Sequence, residues 1–281
     1  MSAQLSYRPD PKVGTNPDGT QFDWDLKDKD FKTGLAPYLT STTTGDVDLR
    51  RYCTDTNQFG LSACAGNATA DSVELLNSVE EESKAALEGR AALPVAQLSR
   101  LFVYSMARGL MDEDGDGQAD ISQDRGTYIR LCFEVLSRWG ICDELVWPYD
   151  PSRVFTVPSV KALRQATAHR IHSYYRIKDS GDARLSAVRE ALRAKHPVVF
   201  GTLVSQAFMQ WQGYLTPIGK PTGETEGGHA MLVIGLVGNH FLVKNSWGPG
   251  WGEGGYWLMS DEYMAWGETS DLWVPTKGSM F

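Results

Sequence analysis

The stretch GHAMLVIGLVGNHFLVKNSWGPGWGEGGY, residues 228 to 256, sets a histidine and an asparagine sixteen positions apart inside an apolar, strand-like frame. An imidazole that shuttles a proton needs a third group to fix its tautomer and ring angle, and an amide oxygen on a neighbouring strand does so without competing for the proton. His229 and Asn245 fit these two roles. Trp247, Gly248, Trp251 and Gly252 follow at once, and an indole laid over the histidine–asparagine hydrogen bond would exclude water and strengthen it. The stretch holds no nucleophile.

A nucleophile paired with this histidine is a neighbour in the fold and not in the chain, so it belongs far upstream. The candidates are Cys53, Cys64, Cys132 and Cys142. Only Cys64 stands where a loop, Gly60 to Ala63, runs into a helical pattern that continues through Val73, Leu76, Val79, Ala86 and Leu87. A thiol at a helix N-terminus faces unpaired N–H groups and the positive end of the dipole, which favours its thiolate. Six residues earlier, Gln58 offers a side-chain amide that can join the Cys64 N–H in binding an oxyanion.

Asn57, Gln58, Cys64, His229, Asn245 and the run NSWGPGWGEGGY together resemble the papain family of cysteine peptidases, with the same glutamine-to-cysteine and histidine-to-asparagine gaps. VWPYD at 146 to 150 also resembles the family's exit from its helical domain. The family's usual CGSCW around the nucleophile is LSACA here, so Leu61 removes the cysteine of a bracing disulfide and Ala65 removes a bulky aromatic. Neither change deletes a reacting atom. The segment NQFGLSACAGNATADSVE is similar to a bacterial and viral branch of the family.

The resemblance implies an α+β fold with a helical left domain, an antiparallel barrel-like right domain and an active-site cleft between them. Residues 46–169 read as the helical domain, with helices from Cys64, from Pro94 to Gly109 and from Gly126 to Trp139. Residues 170–281 read as β-rich, with strands over Arg170–Ile177, Pro197–Leu203, His229–Gly235, His240–Lys244 and Tyr256–Met259, interrupted by a helix over Leu185–Lys195. Residues 1–45, rich in Pro, Gly, Asp and Thr, precede the family-like part. They stand open between a propeptide laid along the cleft, which would make the chain a zymogen, and an arm packed on the surface.

The implied activity is a cysteine endopeptidase: Cys64 attacks a peptide carbonyl, Gln58 and the Cys64 N–H hold the oxyanion, His229 protonates the leaving amine, Asn245 aligns the ring and Trp247 shields it. Arg125 and Gly126 resemble the family's glycine pair, which binds substrate backbone as an added strand. Ala230, Tyr263 and Met264 are expected to wall the pocket for the second residue before the cut. The alternatives are a papain-like effector acting on one dedicated protein target by cleavage, deamidation or acyl transfer, and an inactive binding module.

No cofactor is required for this chemistry. One stretch raises calcium all the same: Asp112, Asp114, Asp116 and Asp120 fill the first, third, fifth and ninth places of an EF-hand-like loop, with Gly117 at the sixth. Gln123 stands at the twelfth place, where a bidentate carboxylate is normal, and Asp124 is adjacent. Calcium and a merely solvated acidic loop both remain open.

Composition limits the remaining classes. The chain has 281 residues, 42% hydrophobic and 22% charged, with a net charge of −8, so neither nucleic acid nor an anionic membrane is favoured electrostatically as partner. A monomer acting on protein or peptide is expected. The N-terminus lacks the layout of a secretory signal, which suggests a cytoplasmic protein or one exported without a classical leader. With Cys64 set aside, three cysteines remain; free buried thiols are the simpler reading, and a Cys53–Cys142 bridge would need export.

Overall fold

The computed structural model describes residues 4–11, 13–15, 21–23, 27–41, 43–112, 119, 121–213 and 216–277. Its first regular elements are a hairpin of β1 (Val13–Thr15) and β2 (Gln21–Asp23), followed by the short helix α1 (Phe31–Gly34) and the two-residue strand β3 (Val47–Asp48). Asp30 starts α1 by accepting a hydrogen bond from the Thr33 N–H. Such a cap satisfies one of the donors a helix start leaves unpaired.

The central helix α2 (Cys64–Glu88) begins at the cysteine itself. Its first half, from Cys64 to Asn77, is buried throughout, because small residues at 65, 66, 68 and 70 let neighbours close in on every side. Thr69 and Ser72 return their hydroxyls to the Ala65 and Thr69 carbonyls, so no hydroxyl is stranded in that interior. Helices α3 (Arg100–Arg108) and α4 (Ile129–Arg138) pack against α2, and the smaller α5 (Val160–Ala166) closes the helical part. The two main helices are shorter than the sequence pattern indicates, since Ser99 caps α3 at its own position and Tyr128 is still extended before α4.

Beyond residue 170 the chain turns to strands: β4 (Ser173–Ile177), β5 (Val198–Val204), β6 (Pro217–Ile218), β7 (Gly227–Val237), β8 (His240–Lys244), β9 (Tyr256–Met259) and β10 (Ser270–Thr276). Helices α6 (Gly181–Arg193), α7 (Gln206–Met209) and α8 (Asp261–Met264) lie between them. The order is β4–β10–β5–β7–β8–β9–β6, with β3 also paired to β7; every pairing is antiparallel except β6 with β9.

This sheet is open, with β4 and β6 at its ends, and does not close into the barrel expected from the resemblance. The β4 edge is covered instead: the Arg176 N–H donates to the Lys29 carbonyl and Asp30 bridges to Arg176. Covering an edge satisfies its free donors without ring closure.

Strand β10 has no counterpart in the sequence reading. Pro275 inside SDLWVPT argues against a strand between two neighbours. The structure accommodates it because pairing with β5 is confined to Ser270–Gly201 and Trp273–Val199, whereas β4 continues alongside Pro275.

Candidate active site

Strand β7 brings the parts together. His229 lies on it opposite Thr202 of β5, and Leu232 pairs with Lys244 on β8, immediately before Asn245. One more step of that register sets Asn245 across from residue 231, on the same face as His229 two positions away, because strand side chains alternate. The His229 Nε2 and Asn245 Oδ1 are 2.7 Å apart, so Nε2 carries the proton and Nδ1 is left free of hydrogen bonds. Asn245 Oδ1 also accepts the Ser246 N–H at 2.8 Å, which prevents the amide from turning. Trp247 stacks on the imidazole at 4.6 Å between ring centres and 26° between planes. Phe208 and Trp251 pack in turn against Trp247.

Cys64 is the first residue of α2, and the N–H groups of Ala230, which follows His229, and of Ala65, together with Ser6, favour the thiolate form of its sulfur. Gln58 is fully buried: its Oε1 accepts from Ser246 Oγ at 2.7 Å, and its Nε2 donates to the Leu61 carbonyl at 2.9 Å. The Gln58 N–H donates to the Ser246 carbonyl at 2.7 Å, and the Gly248 N–H to the Thr56 carbonyl at 2.9 Å. The segments before the cysteine and after the asparagine are thus sewn together across the cleft.

The site is not empty. The Gln58 Nε2 also donates to the Gln4 carbonyl at 3.1 Å, Ser6 Oγ lies 3.7 Å from Cys64 Sγ, and the Tyr7 N–H donates to the Gly228 carbonyl at 2.8 Å. Residues 4 to 7 therefore run through the cleft. Cys64 and His229 are almost completely covered. Burial pushes the Cys64 thiol up, outweighing the N–H groups that favour its thiolate, and burial lowers the His229 imidazole to about 4 against the pull of Asn245. With water excluded, burial opposes the charged form of both groups.

The cleft wall includes Gly126, named from sequence, together with Asp124 and Tyr149, whose bonds to the nucleophile segment have no local sequence signal. Gly126 has φ +84°, and a Cβ there would stand 2.2 Å from the Ser6 carbonyl oxygen, so the close approach of the arm requires glycine. Asp124 fixes this wall to the nucleophile loop: its carboxylate accepts the Ser62 N–H at 2.9 Å and the Tyr104 hydroxyl, and Tyr104 in turn accepts the Gly126 N–H at 3.2 Å. Tyr149, in the VWPYD segment, donates to the Gln58 carbonyl. The adjacency of Asp124 to Gly126 was visible in sequence, but its partners lie 20 and 62 residues away.

Arg125 is exposed beside Gly126, and Ala230 is buried on β7 next to His229 and opposite Gly201. Tyr263 and Met264 are buried on α8, where Tyr263 packs against Trp257 and Trp266 and its hydroxyl donates to the Leu203 carbonyl. Of the acidic loop, Asp114, Asp116 and Asp120 lie outside the described residues. Asp124, the substitute for a twelfth ligand, is engaged with Ser62 and Tyr104, and no group of three or more His, Cys, Asp or Glu among the described residues could hold a metal ion. All four cysteines are free thiols. No helix among the described residues is long and apolar enough to cross a membrane.

A thiol at a helix start and a strand-borne histidine bonded to an asparagine are the groups that a cysteine-type peptidase uses. The chain belongs to the papain family of cysteine proteases, whose profile matches residues 114–273. Gln58 and Cys64 stand upstream of that match. An uncharacterized peptidase C1-like protein of Acanthamoeba polyphaga mimivirus is 31% identical over 246 residues, covering 82% of this chain and 74% of its own. Xylellain, a cysteine protease from Xylella fastidiosa, superposes with a TM-score of 0.72 at 25% identity, covering 99% of this chain and 98% of its own. The bromelain protease of Ananas comosus shares the fold with a TM-score of 0.60 at 23% identity, over 84% of this chain and all of its own. The viral and bacterial likeness of the nucleophile segment agrees with the first two. Members of this family act on proteins and peptides and need no cofactor.

Proposed function

We propose that the protein is a cysteine endopeptidase made latent by its own N-terminal arm. The observation that carries the reading is a peptide already lying across the reacting groups, with one carbonyl on the Gln58 amide and one residue beside the Cys64 sulfur. With the arm displaced, water returns to the cleft and the charged pair, thiolate with imidazolium, regains its solvation. The Cys64 sulfur then attacks a substrate carbonyl carbon, and the oxyanion is held by Gln58 Nε2 and the Cys64 N–H. The C–N bond breaks as His229 Nδ1 gives its proton to the leaving amine. Water hydrolyses the thioester with the same imidazole as base, restoring thiol and free acid.

The arm escapes cleavage for a geometric reason. The carbonyl on Gln58 belongs to Gln4, whereas the hydroxyl and backbone at the sulfur belong to Ser6, two residues on, so the bonded carbonyl is not that of the peptide beside the sulfur. Tyr7→Ala in the full chain, or limited proteolysis of the arm, is expected to raise hydrolysis of fluorogenic dipeptides. In that activated protein Cys64→Ala and His229→Ala should each abolish turnover with an unchanged melting temperature, and an irreversible epoxide inhibitor should block it. Gln58→Ala, losing one oxyanion donor of two, should cost on the order of a hundredfold in kcat. Hydrolysis that survives Cys64→Ala overturns the reading.

A further inference from the structure

We propose that the pocket filled by Tyr7 selects tyrosine side chains of peptide substrates, with Asp271 accepting the phenol hydroxyl. The inference rests on the peptidase reading above and gives that site its substrate class.

The pocket is carved by two missing side chains on adjacent strands. A Cβ on Gly201 of β5 would lie 2.0 Å from Tyr7 Cζ, and one on Gly228 of β7 would lie 3.0 Å from Tyr7 Cδ1. A six-membered ring enters only because both positions are glycine. At its far end the Tyr7 hydroxyl donates to Asp271 Oδ2 at 2.5 Å and lies 2.7 Å from Ser270 Oγ. Burial, reinforced by Asp271, pushes the phenol well above its ordinary value, so it keeps the proton it donates. The neighbouring residue Ser6 touches the Cys64 sulfur, which places the pocket one residue from the reacting atom.

The floor is constructed for this purpose at a local cost. Asp271 holds φ +51°, a left-handed conformation unusual outside glycine, in the stretch where the register between β10 and β5 shifts. A bulge of this kind re-aims a side chain, and backbone strain of this kind persists where the surroundings impose it. Arg176 fixes the other carboxylate oxygen, with Nη2 2.8 Å from Oδ1.

Charge decides between a phenol and a cation. With the arm in place, Asp10, Asp28 and Asp271 face Arg130 and Arg176. Asp10 belongs to the arm and leaves with it, and the carboxylate that stays at the floor, Asp271, is already paired with Arg176. A lysine or arginine would lose its hydration to meet a compensated floor. Once the Asp10 N–H that also bonds Asp271 Oδ2 has left with the arm, a leucine or phenylalanine would leave that oxygen without the phenol donor, which a site built to bond a hydroxyl penalises. A phenol supplies the ring, one donor and no net charge.

The test uses the full chain with Tyr7→Ala, which vacates the pocket, and a peptide library in which one position is Tyr, Phe, Leu or Arg and products are read by mass spectrometry. Tyrosine flanking the cleaved bond should be preferred over phenylalanine by about tenfold or more. Asp271→Ala should bring that ratio close to one, and Gly201→Ala should transfer the preference from aromatic to small residues. A preference for arginine or leucine, or a tyrosine preference untouched by both substitutions, overturns the proposal. If no peptide is cleaved, the peptidase reading fails separately, and the pocket is read by the Kd of the same peptides, fluorescently labelled, for the full chain with Cys64→Ala and Tyr7→Ala. Equal affinity for the Tyr and Phe peptides there overturns the proposal on its own.

Discussion

Lys244 stands next to Asn245, and its ammonium is buried between Asp71 of α2 and Thr56 Oγ1. Arg100 of α3 joins the same carboxylate at 2.6 Å and Glu74 at 2.9 Å, so two cations and two anions are enclosed where the helical and β-rich parts meet. Burial raises the Asp71 carboxyl, but Arg100 and Lys244 outweigh it and hold the group below the ordinary carboxylate range. Removing one member leaves an uncompensated charge in the interior, which costs about 3–5 kcal/mol. Lys244→Met is therefore expected to destabilise the chain by that order in chemical denaturation, and a change within 1 kcal/mol would show the site to be wetter than it looks. The sequence displays Lys244 as one charge at the end of an apolar strand. Its partner lies 173 residues away, and a single chain carries no local signal of such a pairing. His229 and Asn245 were legible because their sixteen-residue gap is the length of one hairpin.

Among the elements, the N-terminal 45 residues divide into parts with different attachments. Residues 4 to 7 cross the cleft, while Phe31 and Leu35 are inserted into the hydrophobic core with 1% and 0% exposure. The sequence shows neither, because an arm held by backbone bonds has no side-chain period and α1 is too short to display one. The division matters for truncation. Deleting residues 1–11 should raise kcat/KM by freeing Cys64. Deleting 1–45 also removes Phe31 and Leu35, each worth about 2–5 kcal/mol as buried side chains. That longer truncation should melt well below the full chain, as a thermal scan of the three proteins would show. Equal melting temperatures would mean that the core closes without α1. The helices and the strands β5, β7, β8 and β9 were readable from period and apolar runs; β10 and the covered edge of β4 depend on pairings formed only in three dimensions.

At the scale of the whole molecule, arm docking couples the cleft to pH through groups on several elements. Asp10 is buried against Asp271 of β10, Arg130 of α4, Arg176 of β4 and Asp28; burial and Asp271 push its carboxyl up to about 8 against the two arginines. A free arm has an ordinary carboxyl near 4. The docked state therefore holds a proton that the free state has lost between about pH 4 and 8, so this contribution to docking is fully present at acid pH and disappears as pH rises through 8. On exposure the Cys64 proton passes to His229, so the pair exchanges no net proton with solvent while thiolate and imidazolium stand together, and Asp10 sets the slope. Between about pH 6.5 and 8 docking therefore weakens as pH rises. One proton over about 1.5 pH units corresponds to about 2 kcal/mol, or roughly thirtyfold in the docking equilibrium. The ratio of kcat/KM for the full chain to that for the chain lacking residues 1–11 should accordingly rise between pH 6.5 and 8.5, and Asp10→Asn, which cannot ionise, should flatten the rise. A ratio that stays constant or falls over this range would place the control of latency outside the Asp10 cluster.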